Sequence, residues 1–122
     1  MPGFVHDPFC CELVPEDGRV LVRLSGELDM STVPILEQRL REARDAGGRR
    51  LVVDLSGLDF MDSSGLRCVV QANSRVSERG LRFALVRGGE PVHRVFEITR
   101  MTDRLNWVDS PGDLQPGAEE RT

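Results

Sequence analysis

Residues Leu51 to Val70 read LVVDLSGLDFMDSSGLRCVV, and their interpretation decides the fold. Leu51-Val52-Val53-Asp54-Leu55 is a short apolar run, the pattern of a fully buried strand. Ser56-Gly57-Leu58-Asp59-Phe60-Met61 reads as a connection that keeps apolar side chains. After Asp62-Ser63-Ser64-Gly65, a helical apolar pattern opens at Leu66. Two hydroxyls therefore stand where a strand hands over to a helix N-terminus. Free backbone N–H groups and the helix dipole make such a position receptive to negative charge.

The flanks repeat the alternation of strand and helix. Upstream, Phe9 to Val14 forms a short strand ended by Pro15, and Glu16-Asp17-Gly18 is turn chemistry. Val20, Val22 and Leu24 then recur at period two, so the two runs predict a hairpin. Leu21 makes the second strand apolar on part of both faces, as expected of a sheet covered by helices. Gly26-Glu27-Leu28-Asp29 leaves that strand. Ser31 or Thr32 caps a helix with Pro34 in its first turn and Val33, Leu36, Leu40 and Ala43 on one stripe. Gly47-Gly48 ends it. Downstream, Val69, Val70 and Val76 continue the face begun at Leu66, and Arg82 to Val86 is another apolar strand. Glu90-Pro91 opens a third helix with Val92, Val95, Phe96 and Thr99 inward, and Asn106-Trp107-Val108 offers a last short strand. The order is β-β-α-β-α-β-α-β. Strands separated by single helices imply parallel neighbours with right-handed crossovers. The expected fold is α/β, a mixed and mostly parallel sheet of about four or five strands with an N-terminal antiparallel hairpin and about three helices. Residues 1–8 read as a loose lead-in, 9–109 as the domain and 110–122 as a polar, disordered tail.

Composition narrows the function classes. The chain has 122 residues, enough for one domain with a core of its own, and is 39% hydrophobic and 30% charged. Its net charge is −4, and its 16 basic residues, all Arg, are scattered. A nucleic-acid binder would show a basic stripe, so direct nucleic-acid binding is not expected. No apolar run is long enough to span a membrane. The opening MPGFVHDPFCCE has neither a basic nor an apolar signal region, so a cytoplasmic location is the expectation. Cys10, Cys11 and Cys68 fit no zinc template, and His6-Asp7 beside Cys10-Cys11 supplies half a site at most. Buried thiols of a reducing compartment are expected, with no metal and no cofactor.

Catalysis finds little support. Ser63 or Ser64 as a nucleophile would need a base, and the histidines are His6, in the lead-in, and His93, expected on a helix surface. The segment also lacks the first glycine of a nucleophile elbow. There is no phosphate-binding loop and no Lys to complete one. Asp59 and Asp62 read as solvated capping charges. The plainest role for Ser63 is an N-cap worth about 1 kcal/mol. Against that role alone stand the paired serines followed by Gly65 and the apolar Phe60 and Met61 at a strand's surface end.

Gly26-Glu27-Leu28-Asp29 after a strand, followed by Val53-Asp54-Leu55 and Leu58-Asp59-Phe60-Met61-Asp62-Ser63-Ser64-Gly65-Leu66, resembles the STAS domain of bacterial anti-sigma factor antagonists. The resemblance extends over roughly residues 10–109. It implies a non-enzymatic partner-switching regulator of transcription, in stress response or sporulation. It further implies that the unphosphorylated protein binds an anti-sigma factor and frees a sigma factor. The anti-sigma factor would also be a serine kinase of the histidine-kinase-like ATPase fold, phosphorylating Ser63 (or, as the second choice, Ser64) and so ending the complex. A PP2C-type serine phosphatase would restore it. By the same resemblance the partner surface comprises Asp29, Phe60, Met61, Asp62, Ser63, Ser64, Gly65, Leu66 and Arg67. The competing expectation is a STAS module serving a signalling complex or a lipid transporter without sigma-factor control.

Overall fold

The computed structural model describes residues 9–16, 18–47 and 49–109. The expected lead-in over 1–8 and tail over 110–122 lie outside them, as do Asp17 and Gly48 of the two expected turns. Strand β1 (Cys10–Glu16) and strand β2 (Arg19–Leu28) form the antiparallel hairpin. Helix α1 (Val33–Asp45), strand β3 (Arg50–Met61), helix α2 (Ser63–Glu78), strand β4 (Arg82–Val86), helix α3 (Glu90–Ile98) and strand β5 (Trp107–Val108) follow. The sheet has five strands in chain order, and β2 through β5 are parallel. The expected mixed sheet and element order are therefore present.

Successive right-handed crossovers that always step the same way along a sheet deliver their helices to one face. On that face Val20, Val22, Leu24, Leu51, Val53, Leu55, Phe83 and Leu85 meet Leu36 and Ala43 of α1, Val69 and Val76 of α2, and Val92 and Phe96 of α3. The other face carries a smaller cluster of Leu21, Val52, Ala84 and Val86, to which no described helix contributes. The expectation that helices account for both apolar faces is thus corrected.

The larger correction concerns the ends of β2 and β3. Gly26-Glu27-Leu28 does not leave β2, and Ser56–Met61 is not a connection. The two segments pair, Ser25 with Gly57, Gly26 with Leu58, Glu27 with Phe60 and Leu28 with Met61, across two register shifts. Gly26 takes a φ of 90°, a left-handed value that suits the bulge. On β3, opposite Ser25, a side chain at Gly57 would place Cβ 2.6 Å from the Leu24 carbonyl oxygen. These glycines, which read as turn residues, let the strands run on. Buried Asp54 is tolerated beside them because its Oδ1 accepts from the backbone N–H and hydroxyl of Ser56, at 2.9 and 2.7 Å.

Three smaller differences have local causes. Pro15 lies inside β1 rather than ending it, which an edge strand permits. Thr99 is the C-cap of α3, where its hydroxyl donates to the Val95 carbonyl at 2.7 Å, and not part of the inner stripe. His93 is buried rather than on the surface, because β5 sets Trp107 edge-on against it with centroids 4.9 Å apart. Cys11 and Cys68 are buried as expected, while Cys10 is exposed.

Candidate functional site

The two extended strands end side by side, and each hands over to a helix. At the end of β2 the chain turns through Asp29. Its Oδ1 accepts from the Ser31 hydroxyl at 2.7 Å, the Ser31 N–H at 2.9 Å and the Thr32 N–H at 3.2 Å. Its carbonyl accepts from the Val33 N–H at 2.9 Å. The bond from the Ser31 hydroxyl is the main cause that holds the Asp29 carboxyl below its ordinary pKa. Of the two expected cap residues for α1, Thr32 occupies the position, but its side chain does not cap the helix. Its hydroxyl instead accepts from the Asp29 N–H and donates to the Glu27 carbonyl, both at 2.9 Å. Asp29 orders the turn.

At the end of β3 the N-cap of α2 is Asp62, not Ser63. Asp62 Oδ1 accepts from the Gly65 N–H at 3.0 Å, and its carbonyl accepts from Leu66 N–H at 3.0 Å. The Asp62 N–H donates to the Leu28 carbonyl at 3.2 Å, which ties this turn to the residue preceding Asp29. The receptive helix N-terminus therefore already holds a carboxylate. The cap falls to Asp62 because an aspartate in extended conformation, three residues before a glycine that packs inward, reaches the first-turn donor directly. Ser63 becomes the first helical residue, exposed, and its hydroxyl makes no hydrogen bond among the described residues.

The residues expected at this site fall into two sets. Phe60, at 46% exposure, together with Ser63 and Arg67, faces solvent. Asp29, Asp62 and Ser64 are half-buried. Met61, Gly65 and Leu66 point into the core. Gly65 permits this arrangement, since a Cβ there would lie 2.7 Å from Met61 Cγ and 2.9 Å from Leu28 Cγ. The first turn of α2 consequently rests directly on the ends of β2 and β3. Arg67 lies four residues beyond Ser63 on the same helix, within reach of a group attached to its hydroxyl. Following Asp29 in the chain, Met30 at 77% and Ile35 at 46% are exposed apolar residues that the sequence pattern did not single out. The available signal was that neither belongs to the inner stripe of α1.

His93, the histidine of α3, packs against Phe96 and Trp107. Among the described residues no group of three or more His, Cys, Asp or Glu is arranged to hold a metal ion, and no helix is long and apolar enough to cross a membrane.

A parallel sheet with an antiparallel first strand, carrying an Asp-Ser-Ser-Gly turn at the head of its second helix, defines the class. The STAS domain family model matches residues 12–113, and the chain belongs to that family. It is 32% identical over 95 residues to the anti-sigma-B factor antagonist of Staphylococcus aureus, covering 78% of this chain and 88% of that one. Among solved structures it resembles an anti-sigma factor antagonist from Mycobacterium paratuberculosis, with TM-score 0.79, 26% identity and coverage of 87% and 90%. The fold also matches the anti-sigma factor antagonist SpoIIAA in its unphosphorylated form, with TM-score 0.73, 21% identity and coverage of 93% and 98%.

Proposed function

We propose that this protein is an anti-sigma factor antagonist, a binding module and not an enzyme, whose complex with its anti-sigma factor is broken by phosphorylation of Ser63. The observation that carries the reading is the division of labour at the head of α2. Asp62 supplies the cap, so the exposed Ser63 hydroxyl has no structural duty among the described residues. The family and the curated relative supply the rest of the support.

The electrostatics favour a local switch. A phosphate adds about −1.5 to −2 charge. The first-turn N–H groups of Gly65 and Leu66 are already taken by Asp62, and those of Ser63 and Ser64 remain for the phosphate. Arg67, one turn on, can offset part of the charge. The domain can therefore carry the modification without refolding. A partner docked over Phe60, Ser63 and Arg67 meets that charge beside Asp29 and Asp62. Unit like charges about 4 Å apart repel by roughly 4 kcal/mol at an effective dielectric near 20. That amounts to about a thousandfold in affinity.

The kinase is an anti-sigma factor of the histidine-kinase-like ATPase fold, and a PP2C-type phosphatase reverses the step. The direct test is incubation with the kinase-type anti-sigma factor of the same source and ATP, followed by mapping of the phosphate. Phosphate on Ser63 is expected. With Ser63→Ala the complex should persist through ATP addition, and with Ser63→Asp it should form poorly. Absence of phosphate at Ser63 and Ser64, or equal binding by the two variants, overturns the reading.

A further inference from the structure

Helices α1 and α2 do not close fully on each other. Two small side chains of α2, Cys68 and Ala72, stand one turn apart where that helix faces α1. The result is a groove with an enclosed volume of about 40 Å³, floored by Leu40, Leu51, Cys68, Ala72 and Val76. Its lining also includes three cationic residues, Arg41, Arg44 and Arg75, against Glu37, with Asp45 standing 3.8 Å from Arg44 Nε. An apolar floor in a lining of net positive charge is the arrangement that accepts an amphiphilic anion.

The three arginines differ in what they can offer a ligand. Arg44 Nε is buried without a hydrogen-bond partner, and the carboxylate of Asp45 stands 3.8 Å from it, beyond hydrogen-bond reach. A nitrogen shielded from solvent is equally shielded from a ligand, so Arg44 acts on the groove through its charge, offset in part by Asp45. Arg41 is partly engaged, donating to Gln38 Oε1 at 2.8 Å, which leaves the exposed Arg75 as the principal anion ligand, with Arg44 adding charge. Burial pushes the Cys68 thiol up to about 11, so it lines the floor as a neutral, weakly polar wall and not as a nucleophile. No aromatic side chain lines the groove among the described residues, so nothing there would stack a base.

We propose that the groove between α1 and α2 is a binding site for a small soluble carboxylate with an alkyl chain, its chain end on the Cys68–Ala72 floor and its carboxylate against Arg75, with Arg44 adding charge. The enclosed volume holds about three water-sized units, so only the chain end enters and the remainder lies along the groove. The proposal is independent of the phosphorylation reading, since it invokes no residue of the Ser63 turn.

The test is a titration of the isotope-labelled full chain with octanoate, octanol and acetate, followed by backbone amide shifts. Octanoate is expected to give saturable shifts at Leu40, Cys68, Ala72 and Val76. Octanol, which lacks the charge, and acetate, which lacks the chain, should bind about tenfold more weakly or worse. Arg75→Gln alters an exposed side chain and should leave the fold intact while weakening octanoate by about tenfold. Ala72→Leu fills the floor and should abolish the shifts. The proposal is overturned by equal affinity for octanol and octanoate, by indifference to Arg75→Gln, or by absence of saturable shifts up to about 10 mM.

Discussion

Replacing Gly65 by Ala tests how the candidate site is seated. The added Cβ would stand 2.7 Å from Met61 Cγ and 2.9 and 3.0 Å from Leu28 Cγ and Cδ2. Neither neighbour can swing away, because Met61 is 3% exposed and Leu28 is 0% exposed, and the two shortest contacts are to the Cγ atoms rather than to the free ends of the side chains. Overpacking costs about 1–3 kcal/mol, and three contacts at 3.0 Å or less against side chains that cannot yield put this one at about 2–3 kcal/mol. Alanine recovers at most about 1 kcal/mol through its helix preference. The expected net loss is therefore about 1–2 kcal/mol, measured by urea denaturation with an unchanged slope. Because the first turn of α2 must lift off β2 and β3, the Ser63 turn moves with it, and affinity for the anti-sigma factor should fall as well. A second variant isolates the cause. Leu28→Ala removes one of the two contacts, so Gly65→Ala should cost less in that background than in the native one. Strict additivity of the two substitutions, or a Gly65→Ala protein as stable as the native one, would refute the close-packing argument.

Other outcomes follow from the same structure. Arg100 has a φ of 61° just beyond α3, so Arg100→Gly should raise stability by about 0.5–1 kcal/mol, the left-handed strain relieved less the added unfolded-state entropy; a thermal melt no higher than native would contradict this. Burial first, and the nearby Arg87 second, hold the His93 pKa below its usual 6.5, with Glu97 opposing. The unfolded chain thus takes up this proton at higher pH than the folded one. Stability is complete above the unfolded value near 6.5 and declines as pH falls through the lower folded value. The native-minus-His93→Gln difference in denaturation midpoint should shrink over that interval, and a flat difference would count against it. Thiol labelling of the native protein near pH 8 should modify Cys10 alone, since burial pushes Cys11 up to about 12 and Cys68 to about 11, whereas labelling after unfolding should modify all three. Rapid native labelling of Cys68 would contradict the view that burial keeps that thiol protonated and unreactive.

The alternation of period-two and helical apolar patterns was sufficient for the element order, the parallel sheet and the placement of the Asp-Ser-Ser-Gly turn at a strand-to-helix junction. These depend on local periodicity and on the handedness of crossovers, both of which are written along the chain. The extension of β2 and β3 was not legible there. Ser56-Gly57 and Gly26 carry turn chemistry, and only the pairing of two segments some thirty residues apart, with bulges to absorb the register shifts, converts them into strand. The same applies to His93, whose burial is decided by Trp107 arriving from β5. At the site itself, the residue pattern offered Ser63 as the cap, and the family resemblance offered Met61, Gly65 and Leu66 as partner surface. Packing of α2 onto Leu28 and Met61 instead assigns the cap to Asp62, turns those three residues inward and leaves the Ser63 hydroxyl exposed. Residue type determined which groups could receive a charge at the helix terminus. Which of them faces solvent depended on how closely one glycine lets a helix approach two strand ends, a distance that no local pattern encodes.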